Sequence, residues 1–259
     1  MRARLLLPLL LLLAAAAALP ARAAPPAPGD CALRFAWTPW EPFYVAAPGG
    51  PAGIDHDIVA EAARRAGCTV TWQEMPWVRA FAMLKGGLID GLAGAQRTRE
   101  REGLGRFVGP MRAGRNVLFV RRGEAGRYPF AALADLAGTP FRLGVQRGAR
   151  YSQEYETLLA EGRLAGNLLE ANGSAGGITM LVRGRVDGFL EGEAVGRHMA
   201  RRLGMLEQVE IHPMPVSSNE AYMLLGTQTV PPDVADRLDA ALAEMRADGT
   251  VERFLGQPR

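Results

Sequence analysis

Histidine, lysine and cysteine are scarce in this chain, and their scarcity argues against several classes of site. The three histidines, His56, His198 and His212, lack the close spacing of metal-binding motifs. Lysine occurs only as Lys85, and neither a Gly-Lys-Ser/Thr phosphate loop nor a Gly-x-Ser-x-Gly nucleophile elbow is present. We therefore predict no metal, no cofactor and no catalytic residues.

A long apolar run is found only at the start of the chain. Residues 5–19 are apolar apart from Pro8, follow Arg2 and Arg4, and precede small residues ending at Ala23. This is the pattern of a secretory signal peptide, and the run falls short of the ~20 residues that a membrane span needs. We predict a signal peptide over 1–23 cleaved near Ala23, a flexible leader over 24–29 and a periplasmic mature protein. An uncleaved membrane anchor is the alternative.

Neither sign of charge is in excess once the predicted signal peptide is removed. Residues 1–23 hold three arginines and no acid, so 27 of the 30 basic residues remain, against 27 acidic residues. A formally neutral chain offers no general attraction to nucleic acid or to anionic membranes. We predict no nucleic-acid partner.

Only two cysteines, Cys31 and Cys68, are present, and each precedes a candidate strand. In an exported protein a disulfide is the default expectation, and two parallel neighbouring strands would bring their first residues side by side. We predict a Cys31–Cys68 disulfide, with two buried thiols as the alternative.

Strand and helix patterns alternate along the rest of the chain, which predicts an α/β protein with parallel sheets. Asp55 is interpreted as the cap of the first helix. Two βα series are joined by extended segments near 115–121 and 218–225, which indicates two lobes with a cleft between them. The predicted strands cover 33–37, 68–72, 88–92, 116–120, 141–145, 168–170 and 186–190, and the predicted helices include 151–160, 176–182, 194–203 and 233–247.

Several short motifs follow one another at consistent spacing. They resemble those of extracellular solute-binding protein family 3, the polar amino-acid receptors of ABC transporters, over nearly the whole mature chain. The motifs are Gly53-Ile54-Asp55-His56-Asp57-Ile58, Lys85-Gly86-Gly87-Leu88-Ile89-Asp90, Thr98-Arg99-Glu100-Arg101, Gly184-Arg185-Val186-Asp187-Gly188 and the helix at 243–250.

The resemblance implies a type II periplasmic binding protein fold, in which two α/β lobes joined by a two-strand hinge enclose a ligand cleft. The first lobe would comprise 30–114 and 221–259, and the second 115–220. The implied partners are a small-molecule ligand and an inner-membrane ABC permease, and the expected state is a monomer.

In the first lobe the resemblance assigns ligand-binding roles to positions beside the cleft. The arginine of Thr98-x-x-Arg101 would grip a ligand carboxylate, because a guanidinium fork matches a carboxylate in two places. Trp40 and Trp77 would cover the ligand side chain. Gln96 stands where the family often has a carboxylate-binding serine. Arg79, two residues after Trp77, points into the cleft or to solvent.

In the second lobe the sequence departs from the family pattern at two places. Between a strand and a helix, Gly148, Ala149, Arg150 and Tyr151 would face the ligand, with alanine where the family usually has a threonine. Where the family has an aspartate that pairs with the ligand ammonium, this chain has Gly192 between Glu191 and Glu193. Either glutamate could replace that aspartate, or the ligand is a carboxylate or anion without an amine.

Three functions remain as expectations. The first is a receptor that captures an amino acid or related small carboxylate by hinge closure and delivers it to a permease. The second is an enzyme similar to periplasmic cyclohexadienyl dehydratases, with Glu191 or Glu193 as general acid. The third is a sensing module for a separate signalling partner.

Overall fold

The computed structural model describes residues 31–256. The predicted signal peptide, the predicted leader and residues 257–259 lie outside the described residues. Within 31–256, no helix combines the length and apolar character that crossing a membrane requires.

Eleven strands and eight α-helices make up the described part of the chain, and nine of the strands form one sheet. The strands are β1 (Ala32–Trp37), β2 (Val45–Ala47), β3 (Gly50–Ala52), β4 (Thr69–Glu74), β5 (Gly91–Ala95), β6 (Arg106–Arg121), β7 (Leu143–Gln146), β8 (Leu168–Ala171), β9 (Gly188–Gly192), β10 (Val209–Ile211) and β11 (Ser217–Leu225). The helices are α1 (Ile54–Arg65), α2 (Trp77–Lys85), α3 (Arg99–Glu102), α4 (Gln153–Ala160), α5 (Gly173–Val182), α6 (Glu193–Arg202), α7 (Pro232–Ala247) and α8 (Thr250–Gly256).

The first lobe is built on parallel strands β4, β1 and β5, with β1 in the middle. Every residue of β5 is buried, which is why this strand consists of small and apolar residues. A Cβ on Gly91 would lie 2.5 Å from the Phe35 ring, so only glycine lets that ring pack on the strand. Helices α1, α2, α7 and α8 complete this lobe.

The second lobe repeats the arrangement with parallel strands β8, β7 and β9. Helices α4, α5 and α6 accompany these strands. Two clusters of buried apolar side chains fill this lobe, and two others lie mainly in the first lobe. Each lobe therefore has its own core, as the sequence pattern predicts.

Two long antiparallel strands, β6 and β11, join the lobes. Their register runs from Ser217 opposite Asn116 to Leu225 opposite Arg106. In the sheet they stand between β5 of the first lobe and β9 of the second, in the order β4-β1-β5-β11-β6-β9-β7-β8. The two-lobed α/β fold with a two-strand connection is thereby confirmed, whereas the residue limits of the lobes stay a prediction.

The disulfide between Cys31 and Cys68 is present, with Cα atoms 4.5 Å apart. The Thr69 amide donates to the Cys31 carbonyl at 2.8 Å, so the two cysteines meet where β1 and β4 begin. The predicted Cys31–Cys68 disulfide is thereby confirmed. Its cause is the one expected from the sequence, because parallel neighbouring strands align their first residues.

The prediction that Asp55 caps the first helix is wrong. Helix α1 begins at Ile54 with Gly53 as its N-cap residue, and no side chain caps this end. The Asp55 carboxylate is fully buried and binds Arg112 of β6 instead. Its two oxygens accept from the guanidinium at two points, so this carboxylate is engaged by β6 rather than by the amides of α1.

Some predicted element limits are also wrong. The strand predicted at 88–92 begins only at Gly91. Just before it, the Asp90 carboxylate accepts hydrogen bonds from Nε and Nη2 of Arg34. The helix predicted from 151 begins at Gln153, since the Ser152 hydroxyl accepts from the Tyr155 amide and caps the helix there. Tyr151 therefore lies before the helix.

Candidate functional site

The gap between the lobes collects the carboxyl ends of parallel strands from both sides. β1 and β5 end there in the first lobe, and β7 and β9 end there in the second. This is where open α/β sheets place ligands. Two adjoining cavities of about 250 and 290 Å³ share Trp40, Gly94 and Gln96 as lining residues. Their sizes suit a small solute.

Aromatic side chains form much of the first-lobe wall. Trp40, Tyr44 and Trp77 line one cavity together with Gln96 and Arg101. Trp40 remains 45% exposed although it is large and apolar. An indole left open to a cleft is available for stacking on a ligand.

Arg101 provides the positive charge of this wall. Its guanidinium lies 4.8 Å from the centre of the Phe81 ring, and Nη1 donates to the Gln96 carbonyl at 3.1 Å. Among residues 31–256, no carboxylate forms a salt bridge with it, and burial lowers its pKa. Arg101 is thus a half-buried cation with donors left for an anion.

The floor of the cleft contains an ion pair that the sequence analysis missed. Arg112 donates through Nε and Nη2 to Asp55 at 2.5 and 3.0 Å, and both side chains are almost completely buried. The guanidinium also lies 3.6 Å from the centre of the Phe43 ring. The sequence carries no specific signal for this pair, because β6 contains four arginines and only its burial distinguishes Arg112 from the other three.

Glu191 provides a negative charge on the second-lobe wall. Its carboxylate accepts from the Ser174 hydroxyl at 2.6 Å, from the Gly192 backbone amide at 2.8 Å and from Nε2 of the Gln146 side chain. Burial raises the pKa of Glu191, although these three donors favour its ionised form. Glu191 lines the cleft, so it is positioned to meet a ligand.

Glu193 also lines the cleft, but its carboxylate forms ion pairs with two arginines. Arg115 and Arg197 both donate to its carboxylate, the second at 2.9 Å, and they lower its pKa. Of the two glutamates beside Gly192, Glu191 alone is free of an arginine partner among the described residues.

The strand-to-helix segment after β7 reaches the cleft only in part. Ala149, Arg150 and Tyr151 line it, whereas Gly148 is not among the lining residues. Arg150 is largely exposed and lies 3.2 Å from Glu156. The buried Tyr151 hydroxyl accepts from the backbone amide of Gln146, and burial raises the pKa of Tyr151.

Two predicted first-lobe residues lie at the margin. Thr98 lines an outer groove together with Arg101, and its buried hydroxyl has no hydrogen-bond partner within the described part of the chain. Arg79 is exposed on α2 and lines neither cavity. The structure therefore brings Trp40, Trp77, Gln96, Arg101 and Glu191 to the cleft and leaves Arg79 outside it.

Most charges that face the cleft are neutralised within the protein. Arg112, Arg115 and Arg150 each have a carboxylate partner, which leaves Arg101 on one wall and Glu191 on the other. Among residues 31–256, no group of His, Cys, Asp and Glu could hold a metal ion. Among the described residues, the cleft thus offers a guanidinium on one wall and a carboxyl group on the other that each lack an ion-pair partner.

Comparison with known proteins agrees with this geometry. The family model described as bacterial extracellular solute-binding proteins, family 3, matches residues 33–257. Among curated proteins, none matches this chain.

Solved structures of similar fold include proteins with different roles. An ancestral cationic amino acid solute-binding protein aligns with a TM-score of 0.70 and 20% identity, covering 86% of this chain and 93% of that one. The L-cystine solute receptor of Neisseria gonorrhoeae, in its unliganded open conformation, aligns with a TM-score of 0.68 and 20% identity over 89% and 95% of the chains. A histidine kinase sensor domain similar to periplasmic binding proteins aligns with a TM-score of 0.62 and 21% identity over 88% and 95%. At these identities the likeness establishes the fold.

Proposed function

Because this chain belongs to the bacterial extracellular solute-binding proteins of family 3, we propose that it is a periplasmic receptor for a small polar solute. It binds an amino acid or related small carboxylate in the cleft and closes around it by bending at β6 and β11. The closed form then delivers the solute to an ABC-type permease.

Arg101 is the observation that carries this proposal. A half-buried guanidinium without a carboxylate partner, placed beside Trp40 and Trp77, fits a ligand that has a carboxylate next to an apolar or flat group. The other cleft arginines have internal partners, so a ligand carboxylate finds its strongest free donor here.

Glu191 decides whether the ligand is an amino acid. A ligand whose carboxylate binds Arg101 can direct an ammonium toward the second-lobe wall, where Glu191 lies. This role is the one that the family aspartate would fill at Gly192. Burial raises the pKa of Glu191 and so favours its protonated form. A protonated Glu191 has no charge to pair with an ammonium, and the cleft then favours a carboxylate without an amine.

The test is a thermal-shift screen of the mature, oxidised protein against amino acids, dicarboxylates and small inorganic anions. A ligand that binds only the folded state stabilises it by about 2.7 kcal/mol at a hundred times its dissociation constant. Arg101→Ala should weaken binding about 10- to 100-fold, since a hydrogen bond to a charged group contributes roughly 1.5–3 kcal/mol.

Arg183→Ala is the matched control, because Arg183 is exposed at the end of α5, outside both cleft cavities. Equal binding by the Arg101 and Arg183 variants would refute the carboxylate grip. Loss of uptake of the identified solute in cells lacking the gene would support delivery to a permease, and unchanged uptake would contradict it.

The raised pKa of Glu191 favours one further candidate, an enzyme similar to cyclohexadienyl dehydratases. A buried carboxyl group that keeps its proton can act as general acid. Release of carbon dioxide and water from prephenate or arogenate by the wild type, and its loss in Glu191→Gln, would establish this activity.

The fold of the histidine kinase sensor domain supports a third candidate, a ligand-sensing module. Such a module would bind a separate signalling protein only when the solute is present. Pull-down with and without the identified solute distinguishes this role from transport.

A further inference from the structure

One loop of the first lobe reaches across to the second lobe. The Glu41 carboxylate lies 3.2 Å from Nε2 of His198 and accepts from Nη1 of Arg202, both on α6. Glu41 is 157 and 161 residues away from these partners in the sequence. Although burial alone would raise the pKa of Glu41, the contacts with His198 and Arg202 lower it.

His198 depends on this contact. Its side chain is only 8% exposed, and Nδ1 is buried with no hydrogen-bond partner within residues 31–256. Nε2 therefore makes the polar contact of this ring. A buried polar group that loses its partner is costly, which favours keeping Glu41 against α6.

An apolar contact lies beside the ionic one. Val195, on the first turn of α6, packs within the first-lobe core cluster and lines the cleft. Glu41 also follows Trp40, which lines both cavities and lies 4.7 Å from Phe43 between ring centres. Holding Glu41 in place thus holds the indole that faces the ligand.

The other side of the cleft is different. Arg101 and Glu100 of the first lobe face Arg150 and Gln153 of the second across an open groove. Apart from the paired hinge strands, the side-chain hydrogen bonds and ion pairs that join the lobes within 31–256 are those of Glu41. Side-chain contacts therefore join the lobes along α6, whereas the groove on the other side of the cleft is open.

We propose that Glu41, His198 and Arg202 form an interlobe latch that keeps the α6 side of the cleft closed without ligand. The latch positions Trp40, and the solute enters by the opposite groove. This inference concerns the resting conformation and does not depend on the identity of the ligand.

The experiment measures the interlobe distance in the ligand-free mature protein. Spin labels are attached at V78C and L159C, because Val78 on α2 and Leu159 on α4 are exposed and lie in different lobes. Both native cysteines are in the disulfide and do not react. Double electron–electron resonance then gives the distribution of distances.

Glu41→Ala and Arg202→Glu should each lengthen the mean distance. The closed-to-open ratio should fall up to about fivefold, the effect of a partly exposed ion pair, and more for Arg202→Glu, which adds repulsion. The charge swap Glu41→Arg/Arg202→Glu should recover part of the closed population, because it restores the ion pair but not the carboxylate that contacts His198. Arg201→Ala, one residue away and exposed, should leave it unchanged.

Near-ultraviolet circular dichroism checks that each variant is folded. Wild-type distances in both Glu41→Ala and Arg202→Glu would overturn the latch. So would a charge swap that stays as open as Arg202→Glu, because a loss of general packing is not repaired by reversing two charges.

Discussion

Asp55 and Arg112 join the first turn of α1 to the hinge strand β6 through a buried ion pair with contacts of 2.5 and 3.0 Å. Neither side chain is more than 4% exposed. The pair lies directly below the cleft, against Trp40 and Phe43. It therefore fixes the cleft floor relative to one of the two strands that join the lobes.

Removing one partner of this ion pair should strongly destabilise the folded protein. Asp55→Asn should lower the free energy of unfolding by about 3–5 kcal/mol, because it leaves the Arg112 charge buried without compensation. Urea unfolding followed by circular dichroism measures the change. Asp236→Asn, which disrupts an exposed pair with Arg106, should cost about 1 kcal/mol or less. Similar losses in both variants would contradict the importance given to burial.

Gly94 makes room for the same pair. Its φ is +83°, and a Cβ there would lie 2.7 Å from Oδ2 of Asp55. Gly94→Ala should destabilise the fold by about 1–3 kcal/mol through overpacking and backbone strain. Gly103→Ala is the control, since no atom lies within 4 Å of its added Cβ and its φ is −82°. A melting temperature of Gly94→Ala equal to that of Gly103→Ala would refute the steric argument.

The disulfide should stabilise the protein without shaping the ligand site. It closes a sequence separation of 37 residues, for which chain entropy predicts about 4 kcal/mol. The double variant Cys31→Ala/Cys68→Ala should lose roughly 2–4 kcal/mol in unfolding free energy. Affinity for the identified solute should stay unchanged, because the cysteines lie where β1 and β4 begin and the cleft lies where the strands end. Weaker solute binding by the folded double variant would show that this separation is not complete.

Arg65 should give the protein part of its stability toward acid. The pKa of Glu61 falls from 4.5 to about 2 through Arg64 and Arg65, and that of Asp248 from 3.8 to about 2 through Thr250 and Arg65. Carboxylates with a lowered pKa stabilise the folded state above their unfolded pKa and lose that contribution as pH falls toward 2.

Arg65→Gln should therefore be less stable than wild type near neutral pH, and the difference should shrink as pH falls from 4.5 toward 2. Urea midpoints across this range measure it. Arg183→Gln should show no such trend, since Arg183 has no ion pair within the described residues. A constant difference between Arg65→Gln and wild type at all pH values would contradict the electrostatic origin.

Much of the site could be placed from the sequence because it lies at the ends of elements that the sequence pattern predicts. Trp40, Trp77, Gln96 and Arg101 were predicted from the resemblance to solute-binding protein family 3, and all four line the cleft. Arg79 was predicted from the same region and lies outside, because it is two residues beyond Trp77 and two steps along a helix turn a side chain by roughly 200°. The binding role of each of these residues stays a prediction.

The sequence by itself determined the alternation of strands and helices, the two-lobed α/β class and the pairing of two cysteines. These follow from apolar periodicity and from the alignment of parallel strands, which act within and between neighbouring elements. Tertiary structure alone decided that Asp55 binds Arg112, that Glu191 rather than Glu193 stays free of arginine, and that Glu41 reaches α6. Those contacts join residues on separate elements, and their side chains meet only after both lobes have packed.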